Sequence, residues 1–304
     1  MRIGLALPQY GVFADPEATV TVATAAEAAG FDSLWAADRI LAPLAPRDSY
    51  GGTGRPMPEE FRVFLDPLTL LTLAASVTTR VRLGTSTLNA LWTPPVMLAR
   101  TLTTLDLISR GRLDVGIGLG WSRDEYQSVS VPWEGRGKRL DETLDLLETL
   151  WTAPTIEHHG AHWTVPASTV EPKPAQSPRP PLLLAGLTPA AIARVGRRAD
   201  GWLAVGVPLP VLGTMWQGAR RAAEEAGRDP EALRGVLRLN PHVTRDPAPA
   251  EAVPTNGTVA QIAGYVHAAE ALGLHEVLLD LQQTGLSSSS QLLDLAGELK
   301  AAIG

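Results

Sequence analysis

The hydrophobic positions along the chain follow two rhythms that take turns. Short apolar runs, the mark of buried strands, fall at 3–8, 31–36, 81–86, 113–118, 181–185, 200–205, 236–243 and 276–281. Between them lie longer stretches whose apolar residues recur every three or four positions, as on one face of a helix. Val22, Ala25, Ala26 and Ala29 make the first such face. Leu98, Leu102 and Leu105 make another, then Leu140, Leu144, Leu147 and Trp151, and last Leu292, Leu295, Leu299 and Ile303. Helices are also expected at 66–77, 209–226 and 258–272. Asp15-Pro16, Asp66-Pro67, Thr93-Pro94 and Thr188-Pro189 each place a capping side chain before a proline, which starts a helix. Gly30 and Gly273 end helices as left-handed caps.

Strand and helix alternate about eight times in one unbroken series. Strands separated by helices pair in parallel through right-handed crossovers. Eight units in 304 residues predict a single α/β domain, 1–304, folded as a (β/α)8 TIM barrel, whose core needs about 250 residues. A doubly wound sheet is the competing architecture, but it has fewer units and a helix-opening G-x-G-x-x-G. The surplus residues gather in Pro/Gly-rich stretches at 41–65, 119–137, 153–180 and 246–257. All but 153–180 directly follow a strand. They are expected at the C-terminal face of the barrel, as lids or walls of a pocket.

Composition narrows the chemistry. The chain has no cysteine, which excludes thiolate metal sites, disulfides and a Cys nucleophile. With 26 basic and 32 acidic residues the formal charge is −6, and no basic run points to nucleic acid. No apolar run reaches the ~18 residues of a membrane span. Met1 leads straight into the first strand, so a cytoplasmic location and no membrane partner are expected. Eight Trp stand against four Phe and four Tyr. Trp35 and Trp202 fall in strands, and Trp92 and Trp121 on loops after strands, with Trp133 on the same loop as Trp121. Trp151, Trp163 and Trp216 read as structural.

In a barrel, chemistry collects where strands end. Those ends hold Tyr10, Asp38, Arg39, Ser86, Thr87, Gly118, Gly120, Trp121, Asn240, Asp280 and Gln282. No strand end carries paired carboxylates, and no Ser-His-Asp order supports a nucleophile triad. Lys138, Lys173 and Lys300 are the only lysines, and none sits at a strand end. This argues against Schiff-base aldolase chemistry. Ala185-Gly186-Leu187-Thr188 runs into a helix start and suits either a phosphate or a plain helix cap. Gly118-Leu119-Gly120 permits close approach of a flat ring, or a turn needing positive φ. Asp38 can orient a ring, handle a proton or cap a loop; Arg39 can bind an anionic substrate or pair with Asp38. Tyr10, Trp92 and Asn240 are candidates for the substrate pocket. His158, His159 and His162 flank Gly160 and read as a β-hairpin rather than a metal cluster, so no metal is expected. Arg136, Lys138 and Arg139 form either a solvated helix start or a grip on an acidic tail.

In this order the residues carry a resemblance. The motifs are Ala26-Glu27-Ala28-Ala29-Gly30-Phe31-Asp32-Ser33-Leu34-Trp35, Asp66-Pro67-Leu68-Thr69, Thr79-Arg80-Val81-Arg82-Leu83-Gly84-Thr85-Ser86, and Thr104-Leu105-Asp106-Leu107-Ile108-Ser109-Arg110-Gly111-Arg112-Leu113. They continue with Gly116-Ile117-Gly118-Leu119-Gly120-Trp121, Arg136-Gly137-Lys138-Arg139-Leu140-Asp141-Glu142, and Ala199-Asp200-Gly201-Trp202. The chain resembles the bacterial luciferase-like monooxygenase superfamily, especially its branch using the deazaflavin F420. The resemblance implies a barrel with the cofactor ring across the C-terminal strand ends, F420 as cofactor with FMN as the alternative, and a homodimer. It implies a bulge with a cis peptide at Ser86-Thr87 behind the ring, a phosphate on the turn 185–188, and Asp38 facing the ring. Asp38 and Arg39 become the candidate catalytic residues. Ser86, Thr87, Gly118, Gly120, Trp121, Ala185, Gly186, Leu187 and Thr188 become the candidate cofactor contacts. The activity implied is hydride transfer to a small organic substrate. An FMN monooxygenase and a non-catalytic flavin- or deazaflavin-binding protein are the alternatives. Two departures stand out: Arg39 replaces the usual His, and Leu91 and Thr93 replace a usual Pro and Arg.

Overall fold

The computed structural model describes residues 1–249 and 255–304, so the stretch 246–257 lies partly outside the described residues. Eight strands run β1 (Arg2–Ala6), β2 (Ser33–Ala36), β3 (Arg82–Thr85), β4 (Leu113–Gly118), β5 (Leu182–Ala185), β6 (Gly201–Val205), β7 (Arg234–Leu239) and β8 (Glu276–Leu279). Neighbours pair in parallel around the ring, and Leu83 and Gly84 of β3 pair with Leu113 and Asp114 of β4 to close it. The outer helices are α1 (Pro16–Ala28), α2 (Pro67–Val77), α3 (Pro95–Ile108), α4 (Arg136–Thr152), α5 (Pro189–Arg198), α6 (Leu209–Glu225), α7 (Val259–Ala271) and α8 (Ser289–Ile303). This is the expected (β/α)8 barrel. Among the described residues, no helix is long and apolar enough to cross a membrane.

Local chemistry sets the boundaries. Asp15, Asp66 and Thr188 cap α1, α2 and α5 through their side chains, as their Asp-Pro and Thr-Pro pairs predict. Thr93 does not cap α3; that helix begins one residue later, with Pro94 at the cap. The run expected at 236–243 breaks after Leu239, and His242–Val243 pairs instead with Asn256–Gly257. Pro241 has no N–H to continue the ladder. Within 119–137 a short helix, Arg123–Ser128, interrupts the expected loop. The stretch 153–180 carries the predicted hairpin, Thr155–His159 against Thr164–Thr169.

The barrel interior is layered. Ala6, Trp35, Leu183, Leu203, Val236 and Leu278 form an apolar middle layer apart from the helix-covered core. A Cβ on Gly84 would overlap the Trp35 indole, so glycine is what lets that large ring fill the barrel. Toward the N-terminal face lies a buried ionic layer: Asp114 bridges Arg82 and Arg234, while Glu276 takes Ser33, Trp35 and Arg2. Toward the C-terminal face Arg238 pairs with Asp280, which also accepts the Tyr10 hydroxyl at 3.0 Å. The middle layer therefore separates two charged layers, and the upper one floors the site.

Candidate active site

The ends of β2, β3, β5, β6 and β7, with the loops after β2, β3 and β4, enclose a cavity of about 280 Å³. Asp38, Arg39, Ser86, Thr87, Gly120, Trp121, Ala185, Trp92 and Asn240 all line it, so the structure brings these sequence candidates together. The peptide Ser86-Thr87 is cis, as the resemblance implies. Five further candidates are placed elsewhere. Tyr10 is fully buried behind the wall, stacked on Phe64 and edge-on to Phe61, with its hydroxyl committed to Asp280. Gly118 lies against the Thr87 side chain, which a Cβ there would strike, so its bareness serves the bulge rather than the cavity. Gly186, Leu187 and Thr188 sit past Ala185 on the rim, where Leu187 is exposed. Trp202 braces that rim by donating its indole N–H to the Gly186 carbonyl at 3.2 Å.

Strand ends are locked by buried amides, of which the sequence reading named only Gln282 and gave it no role. Gln9 donates to the Ala37 and Leu65 carbonyls and accepts the Ala37 N–H at 2.7 Å. Gln282 accepts the N–H groups of Gln9 and Tyr10. Asn89 donates its backbone N–H to Asp38 at 3.0 Å and its side-chain amide to the Leu119 carbonyl. Strands β1, β2, β3, β4 and β8 are thereby tied at the height of the cavity.

Asp38 is the most perturbed acid facing the cavity. Burial, with the nearby charges of Glu125 and Asp66, raises its carboxyl to about 7 against the pull of the Asn89 N–H and Arg39. Arg39 pairs not with Asp38 but with Glu125, at 3.5 Å. Its guanidinium carbon lies 4.4 Å from the Trp121 ring centre and 5.0 Å from that of Phe61. Glu125 is buried, and burial raises its carboxyl too, while it accepts the Ile40 N–H at 3.0 Å. Neither Glu125 nor Arg238 was singled out from sequence. Arg238 donates to the Ser86 carbonyl at the cis peptide, to Asp280, and to Asn240 at 3.3 Å. Two cavity-lining donors, Trp92 Nε1 and Asn240 Nδ2, are buried without a partner among the described residues.

The mouth is framed by two of the predicted lid stretches, 41–65 and 119–137. Tyr50, on the loop after β2, packs edge-on against Phe61 and Trp121. The same loop is clasped to the helix Arg123–Ser128 by reciprocal ion pairs, Arg47 with Asp124 at 2.9 Å and Asp48 with Arg123 at 3.3 Å. Trp133 faces Tyr126 and Arg136 instead of the cavity. The hairpin histidines diverge: His158 meets Glu142, and His159 meets Glu157. Glu142 also accepts the N–H groups of His162 and Trp163, so its role there is to hold the hairpin turn.

Comparison with known proteins places this geometry. A family model described as luciferase-like monooxygenase matches residues 2–291. An uncharacterised protein of Mycobacterium tuberculosis is 31% identical over 211 residues, covering 69% of this chain and 72% of that protein. Among solved structures, monooxygenase RslO1 from Streptomyces bottropensis has a TM-score of 0.80 at 23% identity, with 98% of each chain covered. An F420-dependent secondary alcohol dehydrogenase, solved with an F420–acetone adduct, has a TM-score of 0.79 at 17% identity, covering 100% of this chain and 99% of that one.

Proposed function

Since this chain belongs to the luciferase-like monooxygenase family, we propose that it is an F420-dependent oxidoreductase acting on a small organic substrate in the cavity at its C-terminal face. The observation that carries the reading is Asp38. A carboxyl with a pKa near 7, at the cavity wall, can hold a proton at neutral pH and release it to a substrate that has taken up a hydride. The lining also suits a flat, carbonyl-bearing heterocycle. Trp92 Nε1 and Asn240 Nδ2 are donors without acceptors among the described residues, and leaving such groups unpaired costs about 1–3 kcal/mol each. A volume of about 280 Å³ is at the low end for ligand pockets, which fits a ring whose polar tail runs out over the rim.

When bound, the deazaflavin supplies a hydride and reacts poorly with O₂. The chain's own residues do the rest. Thr87 and Gly120 offer the ring a wall, and the turn Ala185–Thr188 presents the start of α5 to a phosphate. Tyr50 and Trp121 exclude water at the mouth, and Asp38 handles the proton. The α5 turn serves the phosphate of FMN equally well, which keeps an FMN-dependent monooxygenase as the second reading. Titration of the purified chain with F420 and FMN separates them. Tighter binding of F420, with hydride transfer to carbonyl or alkene substrates, is expected. Preferential binding of FMN would move the protein to the second reading. Stoichiometric F420 binding without turnover across a broad panel would make it a carrier.

A further inference from the structure

Several arginines of the barrel hold short hydrogen bonds to oxygen acceptors. Arg82 grips Asp114 through two nitrogens at 2.9 and 2.6 Å, and Arg194 grips Asp141 at 2.6 and 3.1 Å. Arg112 donates to the carbonyls of Ser109, Val81, Ala75 and Thr78. Arg39 is different. It is 8% exposed, yet among the described residues its only hydrogen bond is to the Met57 sulfur at 3.8 Å. Its one counter-ion, Glu125, stands off at 3.5 Å and spends an oxygen on the Ile40 N–H. The rings of Phe61 and Trp121 stack on the guanidinium, whose donors lie in its plane. The same residue lines the cavity. A buried guanidinium held between aromatic rings and facing a ligand space, with its oxygen partner among the described residues no nearer than 3.5 Å, leaves room for a closer oxygen acceptor.

We propose that Arg39 is a specificity-determining residue that binds a carboxylate, so that the substrate of this cavity is a small organic acid. A carboxylate presents two oxygens in the spacing of the guanidinium fork, whereas an amide or ketone presents one. The aromatic walls of Tyr50, Phe61 and Phe64 favour a planar, unsaturated body on that acid. The substitution of Arg for the usual His then changes what the site selects, while the proton remains with Asp38. This deepens the oxidoreductase reading and rests on it only for the identity of the reaction.

Cinnamate and cinnamamide, alike in shape and unlike in charge, test the proposal by calorimetric titration of the full chain, with and without F420. Cinnamate is expected to bind at least about tenfold more tightly than cinnamamide. Arg39→Gln should erase that difference, and Arg39→Lys should keep only part of it, since an ammonium lacks the fork. Equal binding of acid and amide by the unaltered chain overturns the proposal, as does unchanged cinnamate affinity in a folded Arg39→Gln. Should Arg39→Gln fail to fold, the acid–amide comparison and Arg39→Lys still decide. The acid–amide difference is read without cofactor, so failure of F420 to bind overturns only the oxidoreductase reading.

Discussion

Asp38 joins a legible residue to an illegible environment. Its place after β2 follows from the strand pattern, but its acidity depends first on burial and then on the charges of Glu125 and Asp66, which are remote in sequence. Glu125 and Arg238 escaped the sequence reading for the same reason. Each looks like an ordinary surface charge until the barrel closes and sets it against Arg39 or Asp280. Two outcomes follow for Asp38. A proton donor with a pKa of about 7 should give activity that falls as pH rises past that value. Asp38→Ala should lower kcat by about 10²–10⁴ and flatten the pH–rate profile. Stability gives the second. Because the folded-state pKa lies above the unfolded one, the linked stability is full below about pH 4 and is lost as pH rises to about 7. Asp38→Asn lacks this dependence. Above pH 7 it should be more stable than the unaltered chain by about 1–3 kcal/mol, with the gain vanishing at low pH. Melting curves across that range check it.

Single elements show how much a few positions decide. The strand–helix series was legible because each strand is an apolar run and several helices open on Asp-Pro or Thr-Pro. β1 and β7 end earlier than their runs predict, at Ala6 and Leu239, because Pro8 and Pro241 have no N–H to carry the ladder on. The glycine of β3 could not be interpreted from sequence: Gly84 is bare because the Trp35 ring from the neighbouring strand lies over it. Gly84→Ala should therefore destabilise the fold by about 3 kcal/mol, more than a strand alanine costs elsewhere, as measured by denaturant unfolding. The β5–α5 turn offers a cleaner experiment. Thr188 caps α5 by accepting the Ala191 N–H, a task aspartate performs as well. Thr188→Asp should leave the melting temperature unchanged while weakening a phosphate-bearing cofactor by about tenfold. Unaltered affinity would take the turn out of the site.

For the whole molecule, the eightfold repeat and the lid stretches after strands were readable, whereas the depth of the cavity was not. Depth comes from the middle layer, where Trp35, Leu183, Leu203, Val236 and Leu278 stop the barrel below the site. It also comes from contacts as distant as Tyr10 with Asp280, which no local pattern encodes. The lids close the other side. Their clasp, Arg47 with Asp124 and Asp48 with Arg123, joins half-exposed arginines to more sheltered carboxylates. Pairs so near the surface weaken when the Debye length falls from about 10 Å at 0.1 M salt to about 3 Å at 1 M. Asp124→Lys should therefore mimic high salt by loosening the mouth, visible as faster cofactor dissociation in stopped-flow displacement. The clasp thus sets a dwell time: the ionic strength of the medium, acting far from the reacting atoms, governs how long a guest stays before the doorway lets it go.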